Sequence, residues 1–251
     1  MKILRNNRLD ALWTKNIRQY FFYGLGEVAL IVFGILLALQ INTWNEDRAS
    51  EKKLRTYYDR LLADIQSNVA DYNFLVRINR ERLDSIPFFL QLLYQQKSLA
   101  EARKLMEMDP FSPRNKSWTH NTYEDLKSTG NLSLIPAVAL KDQLNNYYDD
   151  LESRQETINL LNAKLGEPPG FSALREKLLT YYGSIYEKHP KYNLDWQWLN
   201  QPTDVRFQEL EDRLLIIADI RRLEIRLLTS LKAKAEKTIQ SIRAPAVQVE
   251  K

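Results

Sequence analysis

Residues 20–44 read YFFYGLGEVALIVFGILLALQINTW, and the reading of this stretch decides the architecture. Its middle, residues 28–39, is an unbroken apolar run. With its flanks it reaches the roughly 20 apolar residues that a helix needs to cross about 30 Å of hydrocarbon. No later stretch rivals it. It is therefore expected to be a single transmembrane anchor between a short basic tail, residues 1–19, and a large extramembrane part. Two other readings compete. A buried core helix can be as apolar, but is usually shorter. A cleaved signal peptide shares the basic start and the apolar centre. The small-x-small site it requires is missing, because Ala38, Leu39 and Gln40 fail at the last position. The anchor is expected to remain uncleaved.

Charge follows the same division. The net charge of the 251 residues is +4. The tail alone reaches +4, with Lys2, Arg5, Arg8, Lys15 and Arg18 against Asp10. Of the 36 basic and 32 acidic residues, 31 and 30 lie beyond Trp44, so the extramembrane part is balanced. A balanced surface argues against nucleic acid as a partner. Cysteine is absent, which excludes disulfides, thiolate nucleophiles and cysteine–zinc sites. Leu9, Leu12, Trp13, Ile17 and Tyr20 recur at helical spacing, so the tail is expected to lie as an amphipathic helix against lipid head groups, or else to be a disordered basic segment. Tyr20, Phe21, Phe22 and Tyr23 form one interfacial aromatic belt, and Trp44 marks the other. Five basic residues flank each side of the span, the downstream set being Arg48, Lys52, Lys53, Arg55 and Arg60. The positive-inside rule is thus nearly tied. The tail's charges have fewer acidic neighbours, which favours a cytoplasmic N-terminus and a periplasmic C-terminal domain.

Within the span, Gly24, Glu27, Ile31, Gly34, Ala38 and Ile41 share one helical stripe. Gly34 and Ala38 form a small-xxx-small pair that allows two helix backbones to approach. Glu27 is the only ionisable residue there; it either snorkels to the interface or serves a function. Gln40 and Asn42 add polar groups suited to a partner. The expected partners are membrane lipid and either a second copy of the chain or another membrane protein.

Beyond Trp44 the pattern is helical throughout. Leu54, Tyr57, Tyr58, Leu61, Leu62, Ile65, Val69, Tyr72, Leu75 and Val76 keep the period, with no Gly or Pro between residues 42 and 86. Pro87 predicts a kink or a fresh start. Further helices are expected over 88–94, 99–108, 122–128, from Pro136 to about 165, 171–187, and from 203 or 204 to about 242. Residues 109–121 and 189–202 read as loops, and Gly166, Pro168, Pro169 and Gly170 as a break. Gly130 is placed to end the 122–128 helix in a left-handed cap. No segment alternates as a strand. The fold class is all-α: a transmembrane helix, 20–44, continuing into a stalk and an up-down bundle over 45–242, with a disordered C-terminus, 243–251.

The run GEVALIVFGILLALQINTWNE, followed by a charged helix, resembles the start of an uncharacterised family of single-span membrane proteins in Bacteroidota. TYEDLKSTGNLSLI, followed by a helix bearing Tyr147 and Tyr148, is similar to that family's second common segment. The resemblance covers about a fifth of the chain. It implies a bacterial inner-membrane address and supplies no catalytic residues.

Catalytic signatures are missing from the sequence: there is no phosphate loop, nucleophile elbow or metal-binding histidine pair. The two histidines, His120 and His189, cannot build a histidine-rich metal site. His120 and Glu124 read as a surface pair, and Asp149, Asp150 and Glu152 as a solvated helix face. The tyrosine pairs 57–58, 147–148 and 181–182 read as bundle packing. Trp118, Trp196 and Trp198 fall in loops, where they serve either as partner contacts or as local packing. No cofactor is expected. The leading functional expectation is a non-enzymatic scaffold or accessory subunit of an envelope membrane complex. The alternative is an extracytoplasmic helical sensor that binds a small ligand and signals through a partner.

Overall fold

The computed structural model describes the backbone of residues 6–108, 110–112, 117–179 and 195–246, and their side chains except at 6–20, 245 and 246. Among these residues the protein is all-α. Its helices are α1 (Asn6–Gln95), α2 (Leu99–Glu107), α3 (Asn121–Ser128), α4 (Val138–Ala163), α5 (Pro169–Leu179) and α6 (Val205–Ala246), with short 3₁₀ turns at Asn131–Leu134 and Gln197–Asn200. The chain divides into two compact units, residues 1–56 and 57–251.

The first unit is helical from Asn6 onward. Every large apolar side chain from Phe21 to Trp44 is exposed, and none of the apolar window is covered by the rest of the chain. A soluble surface does not carry so large a continuous apolar area. The helix is long and apolar enough to cross a membrane. At the Trp44 end, the Asn42 amide donates to Glu46 at 2.7 Å, and the Arg48 guanidinium lies over the Trp44 ring.

The second unit is a bundle built on heptad spacing. In α1 a seam of buried positions runs through 58, 61, 65, 68, 72, 75 and 79, then 86, 89 and 93, alternating three and four residues apart, with half-buried Arg82 filling the remaining step and Tyr57 buried beside its start. In α6 the same alternation runs through 207, 210, 214, 217, 221, 224, 228, 231, 235, 238 and 242. Such a seam faces one helix continuously to its neighbours. The cross-contacts fix direction: Gln143 meets Thr238 and Ser241, Asp150 meets Lys234, and Arg213 donates to the Lys164 carbonyl, so α4 and α6 are antiparallel. Arg82 of α1 and Arg221 of α6 both donate to the Ser112 carbonyl, and Tyr94 meets Glu211, so α1 also runs against α6.

One end of the bundle is an apolar core. There Phe89, Phe111 and Phe171 form a ring cluster with centroids 5.5–6.5 Å apart, joined by Leu105, Leu174, Trp198, Leu199 and Phe207. α2 is held against it by a capping box, in which Ser98 Oγ accepts from Glu101 N–H and the Glu101 carboxylate accepts from Ser98 N–H. Midway along the bundle lies a buried ionic knot. Arg221 donates to Glu224 at 2.9 Å and to the Ser112 carbonyl at 2.8 Å, and its other terminal contact is Asn162. Burial holds the Glu224 carboxyl above the usual carboxylate range, against the opposing pull of Arg221 and the hydrogen bond from Asn79.

Several local expectations are corrected. Of the kink or fresh start expected at Pro87, the fresh start does not occur: α1 passes through it to Gln95. The proline is on the exposed face, while Ile86, Phe89 and Leu93 are buried in the core cluster, so packing on one side outweighs the lost N–H on the other. Pro169 and Gly170 do more than break the chain. Pro169 opens α5, whose Phe171 and Ser172 N–H groups reach the Pro168 carbonyl. α4 starts at Val138, two residues after Pro136, and α6 continues to Ala246, past 242. Gly130 adopts φ +72°, as the left-handed cap requires. Trp118 and Trp198, expected as exposed loop contacts or packing, are packing: they are 3% and 2% exposed. Trp196 is half-buried. Tyr181, Tyr182 and His189 lie outside the described residues.

Candidate functional site

The segment 117–120 is threaded between α1 and α4 and held by side chains of both. Asn68, wholly buried on the α1 seam, grips Thr119 twice: its amide donates to the Thr119 carbonyl at 2.8 Å and its Oδ1 accepts the Thr119 N–H at 2.9 Å. Gln155 of α4 accepts the Trp118 N–H at 2.9 Å. α3 begins after His120, which supplies no side-chain cap. Asp64 of α1 takes over that task and accepts the Thr122 N–H at 3.2 Å. His120 Nδ1 lies 3.1 Å from the Trp118 carbonyl. Because a carbonyl only accepts, Nδ1 carries the proton in this contact.

Behind this segment is a network of tyrosines. The Tyr72 and Tyr147 hydroxyls are 3.2 Å apart, and Asn68 donates to Tyr147 at 3.4 Å. The Tyr72 ring meets Trp118 edge-on, and Tyr147 meets Tyr148 edge-on. Tyr123 and Tyr148 stack with centroids 4.2 Å apart and planes 8° from parallel. Burial raises the Tyr72, Tyr147 and Tyr148 phenols above the ordinary tyrosine value. Tyr123 is pushed up to about 12, by burial first and then by Asp149 and Glu124. At neutral pH these groups are uncharged donors and serve neither as bases nor as nucleophiles. Two polar atoms of the network, Trp118 Nε1 and the Tyr148 hydroxyl, are buried without a hydrogen-bond partner. Each such orphan costs about 1–3 kcal/mol.

On the outer side of the Tyr123–Tyr148 stack lies a cleft of about 480 Å³ between α3 and α4. His120 lines it from the segment before α3, Tyr123, Glu124 and Lys127 from α3, and Tyr148, Asp149, Glu152 and Gln155 from α4. The Lys127 ammonium lies 5.4 Å from the Tyr123 centroid. Among the described residues no group of three or more His, Cys, Asp or Glu is placed to hold a metal ion.

The residues singled out in the span remain on an open surface. A Cβ built at Gly24 or Gly34 meets no atom within 4 Å, and Ile31 and Ile41 are exposed. Glu27 has no hydrogen bond or ion pair among the described residues, and Ala38 is exposed with it. Trp118 forms a wall of the tyrosine network. Trp198 belongs to the apolar core, with the Arg206 guanidinium 5.3 Å from its ring centre. The His120–Glu124 pair and the Asp149 and Glu152 carboxylates, read as surface features, come together at the cleft. Sequence reading missed Asn68, Asn79, Arg82, Arg221 and Glu224. The available signal was the heptad register, because each of them occupies a core position with a polar side chain.

These features define a class: an all-helical protein with one apolar helix near its N-terminus, consistent with membrane association, and a helical bundle. The chain belongs to DUF6090, a family of unknown function, whose profile matches residues 27–167. The match takes in the apolar stretch from Glu27 onward, Asn68, the 117–120 segment and the cleft; it ends before α5 and α6. No curated protein and no solved structure matches the chain.

Proposed function

We infer that the protein is a non-enzymatic scaffold or accessory subunit of a bacterial envelope membrane complex, anchored by one span in the inner membrane. The observation that supports this most is the bare span. Its small residues Gly24 and Gly34 face open space, and Glu27 stands without a partner among the described residues. Lipid gives helices no hydrophobic reason to associate, so close packing of small residues is the available attraction. Glu27 would then meet a cation or a donor on the partner, a second copy of the chain or another membrane protein. The test is an association assay in membranes with Gly34→Leu, Ala38→Leu and Glu27→Gln. The leucine changes keep the span apolar, so insertion should persist while association falls at least several-fold. A Glu27→Gln variant that weakens association as well would assign the carboxylate to the interface. Unchanged association in all three variants would remove the stripe from the proposal.

The cleft between α3 and α4 favours a second reading, in which the bundle is a periplasmic sensor that binds a small ligand and signals through a partner.

A further inference from the structure

The apolar helix carries a second ordered face besides the small-residue stripe. Leu30, Leu37 and Trp44 recur seven residues apart on α1, and Arg48 and Lys52 continue from Trp44 in steps of four. All five side chains are exposed. At about 100° per residue, the apolar part of this face lies roughly a quarter turn from Gly24, Gly34 and Ala38, so both faces can be occupied together. The Arg48 guanidinium stands 5.6 Å from the Trp44 ring centre, which ties its charge to the aromatic residue that marks the interface. Neither Arg48 nor Lys52 has an ion pair among the described residues. The acids nearby are placed elsewhere. Glu46 accepts the Asn42 amide at 2.7 Å, and Asp47 and Glu51 fall on the other flank of Trp44 by the helical register.

We propose that this face seats an anionic phospholipid, with an acyl chain along Leu30 and Leu37 and the phosphate between Arg48 and Lys52. The depths agree. From residue 32, the middle of 20–44, Arg48 lies about 24 Å along the helix axis. The outer edge of the head groups lies about 20–22 Å from the bilayer centre. Side chains on a helix lean toward its N-terminus, which brings the Lys52 ammonium back toward the same level. A free phosphate would use the two cations alone. A phospholipid uses the apolar column, the aromatic ring and the cations in the order in which the face presents them. The inference requires only that the apolar helix lies in a membrane, so a small-residue stripe that mediates no association would leave it standing.

The experiment places the full chain in phosphatidylcholine nanodiscs that carry a small fraction of spin-labelled phosphatidylglycerol or spin-labelled phosphatidylcholine. Electron paramagnetic resonance reads the share of each lipid held at the protein. The chain should prefer phosphatidylglycerol, and Arg48→Gln with Lys52→Gln should lower that preference by about threefold or more. The basic tail adds to the starting preference, so the reading is the drop between chains. Arg48→Lys with Lys52→Arg, which keeps both charges, should retain the preference. Arg80→Gln with Arg226→Gln, two exposed cations of the bundle, should leave it unchanged. An unchanged preference in the Arg48 and Lys52 glutamine variant would overturn the proposal. An equal drop in the bundle variant would mean attraction by net charge and overturn it too, as would a drop in the charge-keeping variant. Loss of the preference on adding inorganic phosphate at constant ionic strength would make free phosphate the occupant and overturn the lipid. A chain that does not stay with the nanodisc would remove the span and this seat together.

Discussion

Tyr148 shows how a single buried atom bears on stability. Its ring is buried and stacked, yet its hydroxyl has no partner. Removing that hydroxyl should cost the fold nothing: Tyr148→Phe is expected to be neutral or to stabilise by up to about 1 kcal/mol in denaturant titration. Tyr147→Phe, which breaks contacts to Tyr72 and Asn68, should destabilise by about 1 kcal/mol. The same residues set an alkaline limit. Folding raises the phenol pKa of Tyr72, Tyr147, Tyr148 and Tyr123. Below a pH of about 10 both folded and unfolded chains hold these protons, and stability is complete. Above it the unfolded chain ionises first, so stability falls as pH rises toward the folded values. Tyrosinate absorbance and helical dichroism followed together should show the buried phenols ionising with loss of structure. Ionisation of every tyrosine in a still-folded protein would contradict the burial. Of this cluster, the sequence announced the Tyr147–Tyr148 pair as packing. It was silent on Asn68 and on the orphan hydroxyl, because those depend on which backbone atoms another segment brings to them.

Helix existence was legible wherever apolar residues kept the three-and-four spacing, and α1, α4 and α6 follow it closely. Helix boundaries were less so, because local rules compete with packing. Pro87 is the clearest case. A proline removes one backbone donor and crowds the carbonyl of residue 83, which argues for a break. Ile86, Phe89, Leu90 and Leu93 nevertheless bind this turn to the core, and the proline itself is solvent-exposed. Replacing it therefore leaves no cavity and restores a hydrogen bond. Pro87→Ala is expected to raise stability by about 1–3 kcal/mol, read as an increase in thermal midpoint. A lowered midpoint would mean that the proline's geometry is needed to fit α1 to its neighbours. The same competition explains Pro169, where a residue read as a breaker takes the first-turn position that suits it. The polar heptad positions carry the opposite lesson. Arg221 and Glu224 lie on the seam of α6 and look like errors in an apolar stripe until Asn162, Asn79 and the Ser112 carbonyl are seen around them. Tertiary partners, supplied by three other segments, are invisible in a single helix's pattern.

At the scale of the whole molecule, the apolar helix asks where each unit resides. Sequence alone revealed that helix, since no pairing is needed to recognise roughly 20 apolar residues in a row. Orientation is a weaker signal, carried by the contrast between a tail of net +4 and a downstream flank whose basic residues are interleaved with Glu46, Asp47, Glu51 and Asp59. Translocation of a long downstream domain depends little on its charge, so the tail dominates. A cytoplasmic N-terminus and a periplasmic bundle are therefore proposed, and the cleft would then sample periplasmic solutes. The consequence is measurable with paired reporter fusions after Lys251. Alkaline phosphatase should be active there and a fluorescent protein that folds only in the cytoplasm should be dark. Neutralising Lys2, Arg5, Arg8, Lys15 and Arg18 together should erode that preference and raise the cytoplasmic reporter. The reverse pattern in the unaltered chain would place the bundle in the cytoplasm. A mature N-terminus mapping just after Gln40 would show that the apolar helix is a cleaved leader, and would remove the span from any role in the assembled protein.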